Sequence, residues 1–169
     1  MEITNSTLQD LSNIFDLYKI ATAYIKSKNQ VAWPKFSKEL IVHEIEENRQ
    51  WKLLIDGKVA CIWATTLNDE LIWGAENNAP SLYIHRIAAH PAFRGQHLVK
   101  KLVIWANDFG KSQGLKYIRL DTVGLNNGLI KHYTTIGFQF LGAKKLENTE
   151  ELPAHYAKGA VCYFQKSIV

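Results

Sequence analysis

Apolar residues recur along much of the chain with the three-to-four-residue period of a buried helix face. Thr7 begins one such stretch as a capping residue, with Asp10 three residues later, and Ser37 begins another. Gly114 and Gly137 stand where two later stretches end, as glycines often do after helices. The pattern predicts helices over residues 7–27, 37–47, 96–113 and 126–136.

Short β-rich runs alternate with these helices and predict strands. Asp56-Gly57 joins two of the runs and is typical of a tight hairpin. The predicted strands cover residues 51–55, 58–66, 81–89, 116–123, 138–145 and 159–167, and the conformation of residues 68–79 is left open. Alternating strands and helices indicate a layered α/β fold, while the hairpin and the last two strands add antiparallel pairing. We therefore expect a single domain over residues 1–169 with a mixed sheet.

The composition is that of an ordinary globular protein. Of 169 residues, 47% are hydrophobic and 21% are charged, and the formal net charge is +4. This charge suits an anionic ligand such as a phosphate, but the basic residues form no run or stripe of the kind that binds nucleic acid. We therefore predict no nucleic-acid partner.

The two cysteines and the first residues of the chain bear on whether the protein binds a metal, is secreted or lies in a membrane. Cys61 and Cys162 lie far apart in apolar stretches with no His or Cys at ligand spacing, which favours buried reduced thiols over a zinc site. The first residues lack the pattern of a signal peptide, and no apolar stretch has the length of a membrane span. We expect a cytoplasmic protein without a metal site or a membrane association.

The segment from Ser81 to Lys101 carries the clearest chemistry. A predicted strand runs into a turn that contains Arg94 and Gly95, and a helix follows directly. The first amides of such a helix lack partners within it and lie at the positive end of its dipole, so they bind phosphate readily. The competing interpretation is an ordinary strand-turn-helix connection, because such turns are common.

Two motifs together make this segment resemble a known family, the GNAT superfamily of N-acetyltransferases. The family signature Q/R-x-x-G-x-G/A falls on Arg94 to Val99, with His97 and Val99 at its two small positions. Downstream, Asn126, Tyr133 and Gly137-Phe138 match the family's spacing of an Asn, a Tyr seven residues later and a closing Gly-Phe. The clear match covers about residues 81–140.

The resemblance implies a fold, a co-substrate and a set of binding residues. The central sheet is expected to splay in its middle, with the pantetheine arm of acetyl-CoA lying in the gap and pairing with the strand backbone. The pyrophosphate is expected to meet the turn and helix that begin at Arg94. The binding residues implied are Ile87, Ala88, Ala89, Arg94, Gly95, Gln96, His97, Leu98, Val99, Lys100, Asn126 and Tyr133.

The resemblance also suggests catalytic roles. Tyr133 corresponds to the family tyrosine near the cofactor sulfur, where a phenol can protonate the leaving thiolate. His85 stands where the similar arylalkylamine N-acetyltransferases have a histidine that assists deprotonation, and its ordinary pKa of about 6.5 suits a base. A packed aromatic and a structural histidine are the alternatives. The Ala89 amide is the expected oxyanion donor, and strand alternation predicts that Arg86 faces the other side of the sheet from His85.

The acceptor is expected to be the primary amine of a small molecule or peptide, bound in a cleft at the other end of the gap. The candidate lining residues are the aromatics Trp33, Trp63, Trp73 and Tyr83 and the carboxylates Glu44, Glu47, Asp69 and Glu76. Each of them could equally be a core aromatic or a solvated carboxylate. The alternative function is a non-catalytic acyl-CoA-binding or sensing domain, and exposed sheet edges suggest a homodimer.

Overall fold

The computed structural model describes residues 1–169 as one α/β domain built on a central sheet. The strands are Glu2–Asn5 (β1), Gln50–Ile55 (β2), Lys58–Thr66 (β3), Ser81–Ala89 (β4), Tyr117–Val123 (β5), Gln139–Lys144 (β6) and Val161–Ser167 (β7). The α-helices are Leu11–Ser27 (α1), Lys38–Glu46 (α2), Glu70–Trp73 (α3), Leu98–Ser112 (α4) and Asn127–Thr135 (α5).

The sheet has seven strands in the order β1-β2-β3-β4-β5-β7-β6, and only β4 and β5 pair in parallel. The predicted mixed sheet is therefore confirmed, together with the hairpin at Asp56-Gly57 between β2 and β3. Strand β1 was not predicted, although it pairs with β2 from Glu2 to Asn5. The open edges of the sheet are β1 and β6, and homodimerisation through them stays a prediction. None of the helices is long and apolar enough to cross a lipid bilayer.

Helices cover both faces of the sheet because alternate strand residues point to opposite sides. Cys61 and Trp63 of β3 belong to a core cluster of 16 buried residues that also includes α4 residues, whereas Ile62 packs with α1 and α2. Both cysteines are free and buried, as predicted. A third, smaller cluster joins α3 to β7 and to the 3₁₀ turn at Ala154–Lys158.

The sheet opens between β4 and β5, as the fold class predicted. The two strands pair only from Ser81–Tyr117 to Ile84–Leu120. Beyond that point β4 continues alongside β3 as far as Ala89, and β5 continues alongside β7 as far as Val123. The facing edges of residues 85–89 and 121–123 consequently have no strand partner across the gap, and this gap holds the candidate site.

A β-bulge lies in β4 at the start of the gap. Ile62 pairs with Ala88 while Ala64 pairs with His85, so two steps along β3 match three steps along β4. Arg86 takes up the extra residue with a left-handed φ of +53°. The bulge reverses the strand's alternation from this residue onward.

Candidate active site

A cavity of about 570 Å³ fills the gap between β4 and β5 and continues under α1 and α2. One end is bordered by Arg94, Val31 and Asn126, and the other by His85, Asp121 and the carboxylate of Asp69. Tyr133 and the β4 residues Ile87, Ala88 and Ala89 line the space between these ends. One cavity therefore joins part of the predicted co-substrate site to the predicted acceptor site. The remaining co-substrate candidates, residues 95–100, lie outside the cavity lining, in the turn and first helical residues that follow Arg94.

The turn before α4 presents a row of free backbone amides. The amides of His97, Leu98, Val99 and Lys100 have no acceptor within the chain, and the first regular helical bond runs from the Lys101 amide to the His97 carbonyl at 3.2 Å. Gly95 supports the turn with a φ of +81°. Such unpartnered amides at the N-terminus of a 15-residue helix form a good anion site.

His97 stands at one of the family's small positions. Its backbone adopts a conformation that glycine favours, while its side chain points into solvent. Its φ is +53° and its ψ is +38°, the left-handed region that glycine adopts without strain. The imidazole is exposed and makes no hydrogen bond within the chain. The amide that matters for an anion is thus present with His as with Gly.

The other side chains of this turn are mainly anchors and surface charges. Leu98 is buried in the core, Val99 is half-buried, and Gln96 and Lys100 are exposed. The Arg94 guanidinium lies 4.4 Å from the centre of the Tyr24 ring of α1, so it is held at the edge of the cavity by a cation–π contact.

Asn126 and Tyr133 stand at the two ends of α5 on the face that borders the gap. The Asn126 side chain caps the helix by accepting a hydrogen bond from the Leu129 amide at 3.1 Å. Tyr133 is 8% exposed and packs edge-on against Phe138 and at an angle to Phe164. Burial, with Cys61 and Asp121 nearby, raises the pKa of its phenol, so the hydroxyl stays protonated at neutral pH.

His85 lies between two carboxylates at the acceptor end. Its Nε2 is 3.4 Å from Oδ2 of Asp69, and its Nδ1 is 3.9 Å from Oδ1 of Asp121. Asp69 precedes α3 and Asp121 is on β5, so three separate elements bring these groups together. The second Asp121 oxygen accepts a hydrogen bond from the Tyr156 hydroxyl at 2.9 Å.

Burial shapes the electrostatics of this cluster. Desolvation and the neighbouring Asp121 charge raise the pKa of Asp69 to about 8. Desolvation likewise raises the pKa of Asp121 to about 6, against the lowering effect of the Tyr156 hydrogen bond. Burial and the positive charges of Arg86 and Arg49 lower the pKa of His85 to about 3. At neutral pH the imidazole is therefore uncharged.

Arg86 shares the cavity with His85, and the prediction that it faces the other side of the sheet is wrong. The bulge turns its side chain toward α1 and α2, where the guanidinium donates to both oxygens of Glu44 and, at 3.3 Å, to the Tyr18 hydroxyl. Alternation failed because the extra residue in β4 adds one half-period to the strand.

The aromatic and acidic candidates for the acceptor cleft divide into two groups. Trp33, Glu44 and Asp69 line the cavity as predicted. The other candidates lie outside the cavity lining and take the alternative position, as core aromatics or exposed carboxylates: Trp63, Trp73, Tyr83, Glu47 and Glu76.

The three aromatics outside the cavity lining are buried in the hydrophobic core. Trp63 is fully buried against Trp105 of α4, with ring centres 5.1 Å apart, and Trp73 packs on Tyr83. The two carboxylates outside the cavity lining, Glu47 and Glu76, are exposed, and Glu47 forms an ion pair with Arg49 at 2.6 Å.

Sequence reasoning missed several residues of the acceptor end. Asp121 carried one signal, since it alternates with the apolar residues Ile118 and Leu120 on β5. The segment Leu152–Tyr156, here called the cover segment, carried none, because no motif marks it. Four of its residues line the cavity, and Tyr156 ties it to Asp121.

Comparisons with known proteins agree with this architecture. A sequence model described as the Acetyltransferase (GNAT) family matches residues 13–138. The uncharacterized N-acetyltransferase YesJ of Bacillus subtilis is 25% identical over 143 residues, which cover 80% of this chain and 79% of that protein. A GNAT-family acetyltransferase from Listeria monocytogenes has a similar structure, with a TM-score of 0.79, 23% identity, and coverage of 98% of this chain and 94% of that one.

A further similar structure, YncA of Salmonella typhimurium, was solved with its cofactor acetyl-CoA. It has a TM-score of 0.70 at 13% identity and covers 100% of this chain and 94% of its own. The family match spans most of the chain, and the splayed sheet and the turn before α4 agree with it. The chain belongs to the GNAT family of acetyltransferases and is an N-acetyltransferase by class.

Proposed function

We propose that this enzyme moves the acetyl group of acetyl-CoA onto the primary amine of a small molecule or peptide, by direct attack within a ternary complex. The observation that supports this most directly is one cavity that runs from Arg94, in the turn that leads to the free amides of α4, past Tyr133 to His85. We further propose that residues 1–169 act as one catalytic domain.

In this proposal the co-substrate is held mainly by main-chain atoms. The amides of His97 to Lys100 bind the pyrophosphate, with Arg94, Gly95 and Gln96 forming the turn beside it. The unpaired edge of β4 at Ile87, Ala88 and Ala89 bonds the pantetheine arm as an added strand would. Asn126 supplies a polar contact from the opposite side of the gap.

The reaction forms a C–N bond and breaks the C–S bond of the thioester. The amine must first lose a proton, and His85 lies at the acceptor end of the cavity to accept it. The Ala89 amide then faces the oxyanion that develops on the carbonyl. Tyr133 donates its hydroxyl proton to the departing thiolate and regains one from the product nitrogen.

The test measures coenzyme A binding by calorimetry and thiol release from acetyl-CoA over a panel of amines: alkylamines, a diamine and a peptide with a free N-terminus. We expect micromolar binding, turnover of at least one amine, and a loss of about 100-fold in kcat for Tyr133→Phe. Tyr117→Phe is the matched control, because that hydroxyl makes no hydrogen bond within the chain and lies at the paired end of β5. Failure to bind coenzyme A would sink the proposal.

Turnover of no amine, together with tight cofactor binding, would instead favour a non-catalytic acyl-CoA-binding domain of the same fold. The left-handed His97 bears on that alternative, since a residue with a side chain stands where the family has a small one. Its free amide and exposed imidazole are compatible with coenzyme A binding, which both functions require, so only the turnover assay separates them.

A further inference from the structure

The acceptor end holds two buried carboxylates that no lysine or arginine neutralises. The side chains of Asp69 and Asp121 are 12% and 3% exposed, and the only ion-pair contacts of either are with His85. Oδ2 of Asp69 is buried without any hydrogen-bond partner. Buried, unpaired carboxylates are unfavourable unless a proton or a cation joins them. At neutral pH Asp69, with a pKa of about 8, holds a proton, whereas Asp121, with a pKa of about 6, is ionised and suits a cationic ligand.

The nearby arginines do not supply that cation because they are already bound elsewhere. Arg86 is held by Glu44, and Arg49 lies 2.6 Å from Glu47. The remaining titratable groups around the cluster are Tyr133 of α5, Tyr163 of β7, and His155 and Tyr156 of the cover segment. All four are neutral at pH 7, since burial raises the pKa of the three phenols and lowers the pKa of His155 to about 4.

We propose that Asp121 holds the acceptor's ammonium group beside His85, and that His85 passes the proton lost by that group to Asp69. This inference rests on the acetyl transfer proposed above and names the residue at which its first proton arrives. The acceptor is then a primary amine that enters as a cation and carries no carboxylate next to its nitrogen, because two buried carboxylates would repel one.

The geometry suits a transfer through both ring nitrogens. Nε2 lies 3.4 Å from Oδ2 of Asp69 and Nδ1 lies 3.9 Å from Oδ1 of Asp121, and all three residues line the cavity. In the tautomer with its proton on Nε2, Nδ1 is an acceptor, and a small rotation of the ring completes the hydrogen bond to Asp69. An ammonium placed there gives one proton to Nδ1 as Nε2 releases another to Oδ2 of Asp69. The ring ends neutral, the carboxylic acid holds the proton until product leaves, and the amine is free to attack.

The pKa shifts of Asp69 and His85 support proton transfer from the histidine to the aspartate. With its pKa raised to about 8, Asp69 becomes ionised and able to accept a proton as pH rises through about 8, and the ionised group then binds the proton more tightly than an ordinary carboxylate does. The lowered pKa of His85, about 3, means that the imidazole cannot retain the proton. Both pKa shifts therefore agree with a relay in which His85 ends uncharged and Asp69 holds the proton.

Asp69→Asn tests the proposal without threatening the fold. The Asp69 side chain makes no capping bond, while its amide donates to Asn77 at 3.3 Å and its carbonyl accepts from Ile72 and Trp73. Those backbone bonds survive the substitution. The control is Glu70→Gln, the same change of charge at the adjacent exposed residue.

The experiment uses the fastest amine of the panel at saturating concentration, and kcat is measured from pH 6 to pH 9.5. We expect wild-type kcat to rise with pH through about 8, and Asp69→Asn to lose about 100-fold in kcat together with this rise, while its Kd for coenzyme A stays unchanged. Glu70→Gln should retain both the rate and the profile. A second arm compares pentylamine with norleucine, which differ by the carboxylate beside the nitrogen, and we expect turnover of pentylamine alone.

Three results would overturn the inference. If Asp69→Asn keeps the wild-type rate and pH profile, the relay is wrong while acetyl transfer stands. If EDTA abolishes activity and a divalent metal restores it, the cluster is a metal site, which its two carboxylates and imidazole also suit. If the wild type neither binds coenzyme A nor acetylates any amine, the proposed function itself fails and the relay fails with it.

Discussion

The two ends of the candidate site are built from different parts of the polypeptide. The co-substrate end relies on main-chain amides of one short turn, His97 to Lys100, whose side chains are largely exposed or packed away. The acceptor end relies on side chains from separate elements: Asp69 before α3, His85 on β4, Asp121 on β5 and Tyr156 in the cover segment. A main-chain site tolerates side-chain change, whereas a side-chain site depends on each group and on its charge.

The largest effect should come from removing one partner of the buried ion pair beside the acceptor end. Glu44→Gln leaves the Arg86 guanidinium, whose side chain is 13% exposed, without its carboxylate. We expect a loss of about 3 kcal/mol in the free energy of unfolding, measured by urea denaturation. Glu47→Gln, near the same helix end but exposed and paired only with surface partners, should change stability little. Equal losses for the two variants would show that the buried pair carries no special weight.

A second test uses the pH dependence of stability. The folded-state pKa of Asp69 is raised to about 8 from an unfolded value near 3.8, so the folded state binds the proton more tightly. Between these two pKa values Asp69 ionises in the unfolded chain but stays protonated in the folded one. Ionisation lowers the free energy of the unfolded state, so the free energy of unfolding falls as pH rises. Asp69→Asn cannot ionise and should become more stable than wild type toward pH 8, by on the order of 2 kcal/mol.

The measurement is urea denaturation of wild type, Asp69→Asn and Glu70→Gln at pH 5, 6.5 and 8. The advantage of Asp69→Asn should grow across this series, and Glu70→Gln should show no such trend because its carboxylate is exposed. A constant difference between Asp69→Asn and wild type would mean that Asp69 is ionised throughout.

At the co-substrate end, removing an amide should matter more than removing a side chain. Val99→Pro deletes one of the four free amides, at the second residue of α4, where proline is tolerated. We expect coenzyme A to bind about tenfold more weakly by calorimetry, the loss of one charge-assisted hydrogen bond. Val99→Ala removes most of the side chain and keeps the amide, so its Kd should stay within about threefold of wild type. Similar losses for both variants would contradict a main-chain site.

The same contrast explains how much the sequence reveals. Arg94, Gly95, Asn126 and Tyr133 could be proposed because a backbone site leaves a local signature at fixed spacing, and the succession of helices and strands after β1 followed from periodicity. The acceptor end could not be assembled in this way, since His85, Asp69 and Asp121 meet only through tertiary packing.

One error, at Arg86, and one choice left open, at Trp63, have clear physical causes. Arg86 was placed on the wrong face because a bulge of one residue leaves no mark in the hydrophobic pattern of β4. For Trp63 the sequence left the cleft and the core both open, because a tryptophan beside a predicted gap suits either, and the structure packs it in the core against the Trp105 ring of α4.

The smallest effect should come from substituting His97. This residue gives the strictest test of the idea that the co-substrate end depends on main-chain amides and not on side chains. Its φ of +53° costs a residue with a side chain about 1 kcal/mol, and glycine removes that strain while adding freedom to the unfolded chain. We therefore expect His97→Gly to raise stability by no more than about 0.5 kcal/mol and to leave the Kd for coenzyme A within about threefold. His97→Ala serves as the control, because it removes the imidazole and keeps the strain. If both variants bind coenzyme A about tenfold more weakly, the imidazole itself holds a phosphate, and the co-substrate end depends on a side chain after all.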